Sequence, residues 1–124
     1  MPKQKEHQRQ IASNEAFYAD INKLGQKYFD WRITTLFYII VHYADALCAA
    51  NGIVQISNHE KRAKELKKLL SPADFSLYLG LKDASRKARY EVGCLDKSAN
   101  DYWQNVYRRY YHPLRTSLKN KIPK

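Results

Sequence analysis

The chain is predicted to be all-α, an up-and-down bundle of four to five helices, and three observations predict it. Apolar residues recur at helical three- and four-residue spacing through most of the 124 residues. No stretch alternates as a half-buried strand would. Cap-and-stop residues (Asn51-Gly52, Ser71-Pro72, Ser98) divide the chain into helix-sized pieces. At this length the chain is read as one helical domain, residues 1–124.

Residues 1–10 carry no apolar periodicity and are expected to fray as a basic tail, as are residues 119–124. A first helix is expected from Ile11 to Lys27 on the spacing of Phe17, Ile21, Leu24 and Tyr28, weakened at its end by Gly25. The next segment, residues 29–50, is apolar on nearly every side. Phe29, Ile33, Leu36, Phe37, Ile40, Val41, Ala44, Leu47 and Cys48 form one broad face, and Trp31, Thr35, Tyr38, His42, Asp45 and Ala49 form the other. A helix covered on both faces is central to its bundle, so the polar groups of the second face need buried partners. Asn51-Gly52 stops it. Ile53–Ile56 reads as a short connector anchored on the core.

Ser57 or Asn58 caps a helix over residues 58–70, with a narrow stripe of Ala63, Leu66, Leu69 and Leu70. Ser71-Pro72-Ala73-Asp74 reads as cap, first-turn proline and first-turn acid of a helix reaching Glu91. Its apolar arc is Leu77, Leu81, Ala84 and Ala88, extended by Tyr78 and Ser85, with Arg89 at the edge and Lys82, Arg86 and Lys87 pointing elsewhere. After a loop at Val92–Lys97, Ser98 caps a last helix, residues 99–119, which Pro113 is expected to kink.

Several classes are excluded or disfavoured. His42 and Asp45 interrupt the longest apolar run, so a membrane-spanning helix is not expected. The first ten residues lack the apolar core of a signal peptide, which points to the cytoplasm. Two cysteines, Cys48 and Cys94, cannot make a four-thiolate zinc site and are expected to stay reduced. The four histidines lack metal-ligand spacing with matching carboxylates, so neither metal nor cofactor is expected. By contrast, 22 Lys and Arg against 12 Asp and Glu leave a net charge of +10, and ten tyrosines accompany it. That composition suits phosphate binding and base stacking, and equally a packed core whose phenols reach the rim.

Two clusters carry candidate chemistry. His59 and Arg62 share a face at a helix amino terminus, where free amides and the helix dipole favour an anion. With His42 and Arg89 they form a candidate anion or nucleotide site, Arg89 turning its fork to a phosphate or to Asp45. Arg108 and His112, one turn apart, are the candidate catalytic pair for metal-independent RNA cleavage, the histidine moving a proton and the arginine stabilising charge.

The Asp30-Trp31 lead-in, Phe37-Tyr38 followed by His42-Tyr43 and Asp45-Ala46, the Asn58-His59 opening with Arg62, and Ser85-Arg86 with Ala88-Arg89-Tyr90 together resemble small prokaryotic members of the HEPN superfamily. The likeness covers Tyr28 to Tyr90, and the last helix by type. It implies a helical bundle, a homodimer, and RNA cleavage or nucleotide binding in a toxin–antitoxin or defence system beside an antitoxin or nucleotidyltransferase. The chain departs in one respect. Cleaving members have four to six residues between the arginine and the histidine, and here only three residues lie between Arg108 and His112. The alternative reading is a non-catalytic protein-interaction or regulatory bundle.

Overall fold

The computed structural model describes residues 4–25, 28–53, 56, 58–90 and 99–123. Among these every regular element is helical: α1 (Gln4–Asn22), α2 (Phe29–Ala50), α3 (His59–Leu69), α4 (Pro72–Tyr90), α5 (Ala99–Val106), a π-helical turn at Tyr107–Tyr111, and α6 (His112–Lys121). The predicted loop at residues 92–97, the Ser98 cap, Ser57 and Cys94 fall outside the described residues.

The middle helix is the one the pattern marked. Fifteen of the residues of α2 are buried, Ile33, Leu36, Phe37, Ile39 and Ile40 completely. Helices α1, α3, α4, α5 and α6 all pack on it. By length and composition α2 could cross a membrane, but 78% of its most apolar stretch is buried inside the bundle. Asn51 ends it, and Gly52 at φ 81° supplies the left-handed turn that a side chain would resist. At its other end Tyr28 is the capping residue, at φ 61°, rather than part of the first helix.

The described parts of both presumed tails, residues 4–10 and 119–123, belong to the fold. Helix α1 starts at Gln4, seven residues before the first apolar residue that predicted it, and stops at Asn22. Its early turns are built from Gln, Lys, Glu and Arg, good helix formers. A histidine rather than a hydrophobe docks them: His7 is buried against α2. At the far end α6 runs to Lys121, Ile122 is buried, and Gln4 Nε2 donates to the Pro123 carbonyl at 2.8 Å.

Arg32 locks α1 to α2. Only 3% exposed, its guanidinium lies between the rings of Phe29 and Trp103, at 4.6 and 4.8 Å from their centres. It donates to the carbonyl of Ile21, which also accepts the Leu24 amide at 3.0 Å, and to that of Gly25 just past the end of α1. Trp103 Nε1 in turn donates to the Tyr18 hydroxyl at 2.9 Å.

Helix α3 opens on Asn58, whose side chain accepts from the Lys61 amide at 2.7 Å. Ser71 does the same for Asp74 at 3.1 Å, and α4 then buries Tyr78, Leu81, Ala84 and Ser85 as its arc required. The last rod is interrupted rather than simply kinked. Pro113 lacks the N–H that an α-helix would direct to Arg109, and the chain answers with a wider turn in which the His112 N–H reaches Tyr107 O. Tyr110 of that turn lies on Gly80 of α4, where a Cβ would come within 2.4 Å of the ring.

Candidate functional site

The second face of α2 divides into three environments. Thr35 and Asp45 are buried, His42 is half-buried, and Trp31 and Tyr38 are exposed. Each environment has its own partners.

Asp45 meets Arg62 of α3, not Arg89. Arg62 Nε donates to Asp45 Oδ1 at 2.7 Å and Nη2 to Oδ2 at 3.1 Å, a fork-to-carboxylate pair with both side chains at most 9% exposed. Burial works against the charge on Arg62, but the bond to Asp45 and its negative charge hold the guanidinium above its ordinary value. The third nitrogen, Nη1, donates to His59 Nδ1 at 2.8 Å. Beneath the pair, burial pushes the phenol of Tyr78 up to about 12, so it stays neutral there. Burial also raises the free thiol of Cys48 to about 11, which makes it inert as a nucleophile.

His42 is covered from the other side. Its Nδ1 lies 3.0 Å from Nδ1 of His7, so one imidazole donates and the other accepts. Burial is the largest influence on each and pushes both below 6.5, and His7 depresses His42 further. Thus His42 is linked to α1, one turn along α2 from the carboxylate that binds Arg62, and lies apart from Arg89.

Arg89 closes a third contact. Its Nη1 donates to the Tyr38 hydroxyl at 2.9 Å, and its guanidinium stands 5.7 Å from the Tyr38 ring centre and 5.9 Å from that of Phe37. These residues line an open groove of about 640 Å³. Helix α2 contributes Phe37 and Tyr38, α3 contributes His59, and α4 contributes Leu79, Lys82, Asp83, Arg86 and Arg89. Asp83 is engaged by Arg86 at 3.1 Å and Lys87 at 3.4 Å. The wall therefore carries an excess of positive charge beside an aromatic and an aliphatic surface.

Of the four residues assigned to one anion site, the structure brings His59 and Arg89 to this groove. It buries Arg62 behind His59 and puts His42 under α1. Lys82 and Arg86, read as pointing away, line the groove with Arg89. His7, read as part of a frayed tail, is a partner of His42. Nothing in the local pattern marked Lys82 or His7, because each acquires its neighbours from a different helix.

Arg108 and His112 lie on the outer surface of the last rod, both exposed. No hydrogen bond or ring contact joins them among the described residues. Arg108 borders a separate hollow of about 340 Å³ with Tyr18, Asn22, Trp103, Gln104 and Tyr107. His112 stacks on Tyr107, the ring centres 6.2 Å apart.

No protein-family model, curated protein or solved structure matches the chain. What fold and site define is a class: an all-helical bundle with a cation-walled groove supported from behind by a buried ion pair.

Proposed function

We propose that the protein binds the phosphate-bearing backbone of RNA, or a nucleotide, in the groove between α2, α3 and α4. The observation that carries this reading is the convergence of Lys82, Arg86 and Arg89 on one wall beside Tyr38 and Leu79. Cations capture the phosphate, and the flat ring with its aliphatic neighbour offers a base a stacking surface. The net charge of +10 would draw a polyanion toward it. The likeness of Tyr28–Tyr90 to small HEPN bundles supports the same reading. With it comes a cytoplasmic role in a toxin–antitoxin or defence system, next to an antitoxin or nucleotidyltransferase. The exposed cluster of Phe17, Leu24, Tyr28 and Trp31 supports a homodimer.

The test is binding of a fluorescent oligouridine across a salt series. Affinity should fall steeply with salt, and Lys82→Ala with Arg89→Ala should flatten the logarithmic slope by about 1.4, about 0.7 for each lost phosphate contact. An unchanged slope rejects the groove. Binding that survives high salt would favour the protein-interaction reading instead.

A further inference from the structure

The imidazole of His59 has its chemistry dictated from behind. A guanidinium has N–H groups and no lone pair, so Arg62 Nη1 can only donate. The 2.8 Å contact therefore makes His59 Nδ1 the acceptor. Arg62 is not free to turn away, because Nε and Nη2 are both committed to Asp45. A neutral imidazole whose Nδ1 accepts carries its hydrogen on Nε2. Among the described residues nothing accepts from Nε2, and His59 lines the groove.

A second proton on Nδ1 would have to face the Arg62 guanidinium. The cations around the ring act the same way: Lys82 and Arg89 of α4 oppose a positive imidazole, while Asp45 of α2, already paired, favours one. Asp83, which shares the groove, is engaged by Arg86 and Lys87. Burial first, then Arg62, Lys82 and Arg89, push His59 below its ordinary 6.5. The Phe37 ring lies against His59, tilted by 40° with the ring centres 5.7 Å apart.

Resting on the groove reading above, we infer that His59 is the neutral, single-orientation hydrogen-bond donor of the groove, giving its Nε2–H to a non-bridging phosphate oxygen of a bound phosphodiester. The surrounding cations supply the charge and His59 supplies the direction. A ring pinned in this tautomer has no lone pair to offer the ligand, so it cannot remove a proton from a ribose hydroxyl. His59 therefore holds the diester and does not act as the base that would cut it.

The experiment uses the full chain, labelled with nitrogen-15, and the dinucleotide UpA, whose phosphodiester keeps one charge between pH 6.5 and 8. Long-range proton–nitrogen correlation reads the His59 tautomer, assigned by loss of its signals in His59→Gln. Titration of UpA into wild type, His59→Gln and His59→Ala reads the donor. The expected result is the Nε2–H tautomer throughout that pH range, with UpA recovered intact. Affinity should fall about ten-fold in His59→Ala, the usual scale for a lost hydrogen bond to a charged group, and fall much less in His59→Gln, whose amide can still donate. An Nδ1–H ring, an imidazolium at pH 7, or equal UpA affinity in wild type and His59→Ala overturns the inference and leaves the groove standing. Cleavage of UpA that disappears in His59→Ala overturns it too. Failure of the wild type to bind UpA at low salt overturns the groove reading, and the donor role falls with it.

Discussion

Two arginine–histidine pairs in this chain look alike on paper and differ in every physical respect. His59 and Arg62 stand three residues apart on α3, Arg108 and His112 four apart on the last rod. Arg62 is 7% exposed, bonded through three nitrogens, and backed by a carboxylate on a neighbouring helix. Arg108 and His112 sit on an open surface, with Tyr107 against the imidazole. Spacing along a helix is thus a weak guide to chemistry. A carboxylate reached across the bundle is what fixes a guanidinium, and a fixed guanidinium is what sets the state of a histidine.

The sharpest way to break this comparison is to remove the carboxylate. Asp45→Ala leaves the Arg62 charge buried and uncompensated, and should cost about 3–5 kcal/mol in denaturant unfolding. Replacing both partners with apolar residues, Asp45→Leu with Arg62→Met, should recover most of that loss, because the desolvation cost then disappears with the charge. A loss below about 1 kcal/mol in Asp45→Ala would place the pair among weak surface bridges.

Acid should act next, through the other buried contact. His7 and His42 are held below 6.5 in the folded protein, chiefly by burial. Between that folded value and 6.5 the unfolded chain binds more protons than the folded one. Stability is therefore complete above 6.5 and declines as pH falls through 6.5 toward the folded value. Thermal unfolding between pH 7.5 and 5 should show this decline, and His7→Asn should shallow it. An identical pH slope in that variant would mean the two rings do not titrate as a pair.

The smallest effects belong to the outer pair. Arg108→Ala and His112→Ala should leave the melting temperature within error of wild type, as substitutions on an open surface usually do. RNA incubated in chelator should give the same product pattern with wild type and His112→Ala. Cleavage by the wild type alone would restore Arg108 and His112 as a catalytic pair and reverse the ranking of the two sites.

Much of the scaffold was legible. The central place of residues 29–50, the Asn51-Gly52 stop, and the Asn58 and Ser71 caps are local signals that hold, whereas the second face of α2, expected to be covered, leaves Trp31 and Tyr38 exposed. Two local expectations were incomplete. The first turns of α1 looked unattached because docking was sought in apolar residues, and the group that docks them is His7. Pro113 was expected to bend an α-helix, whereas the backbone widened into a π turn that carries the His112 N–H to Tyr107 O. Of the candidate groove, His59 and Arg89 could be chosen from residue type. Lys82 and Arg86 could not, since helical periodicity separates core from rim but does not say which rim positions converge.

By itself, then, the sequence determined the helices, their order and the centrality of α2, because hydrophobic spacing and end caps act over a turn or two of chain. Only the tertiary structure decided that Asp45 chooses Arg62 over Arg89, that His42 rests on His7, and that His59 presents Nε2–H to a groove. Those partners lie 17 and 35 residues apart in the first two cases and meet only when helices pack. A polar side chain inside a protein takes whichever complementary group packing brings within hydrogen-bond reach, and that is a property of the assembled bundle.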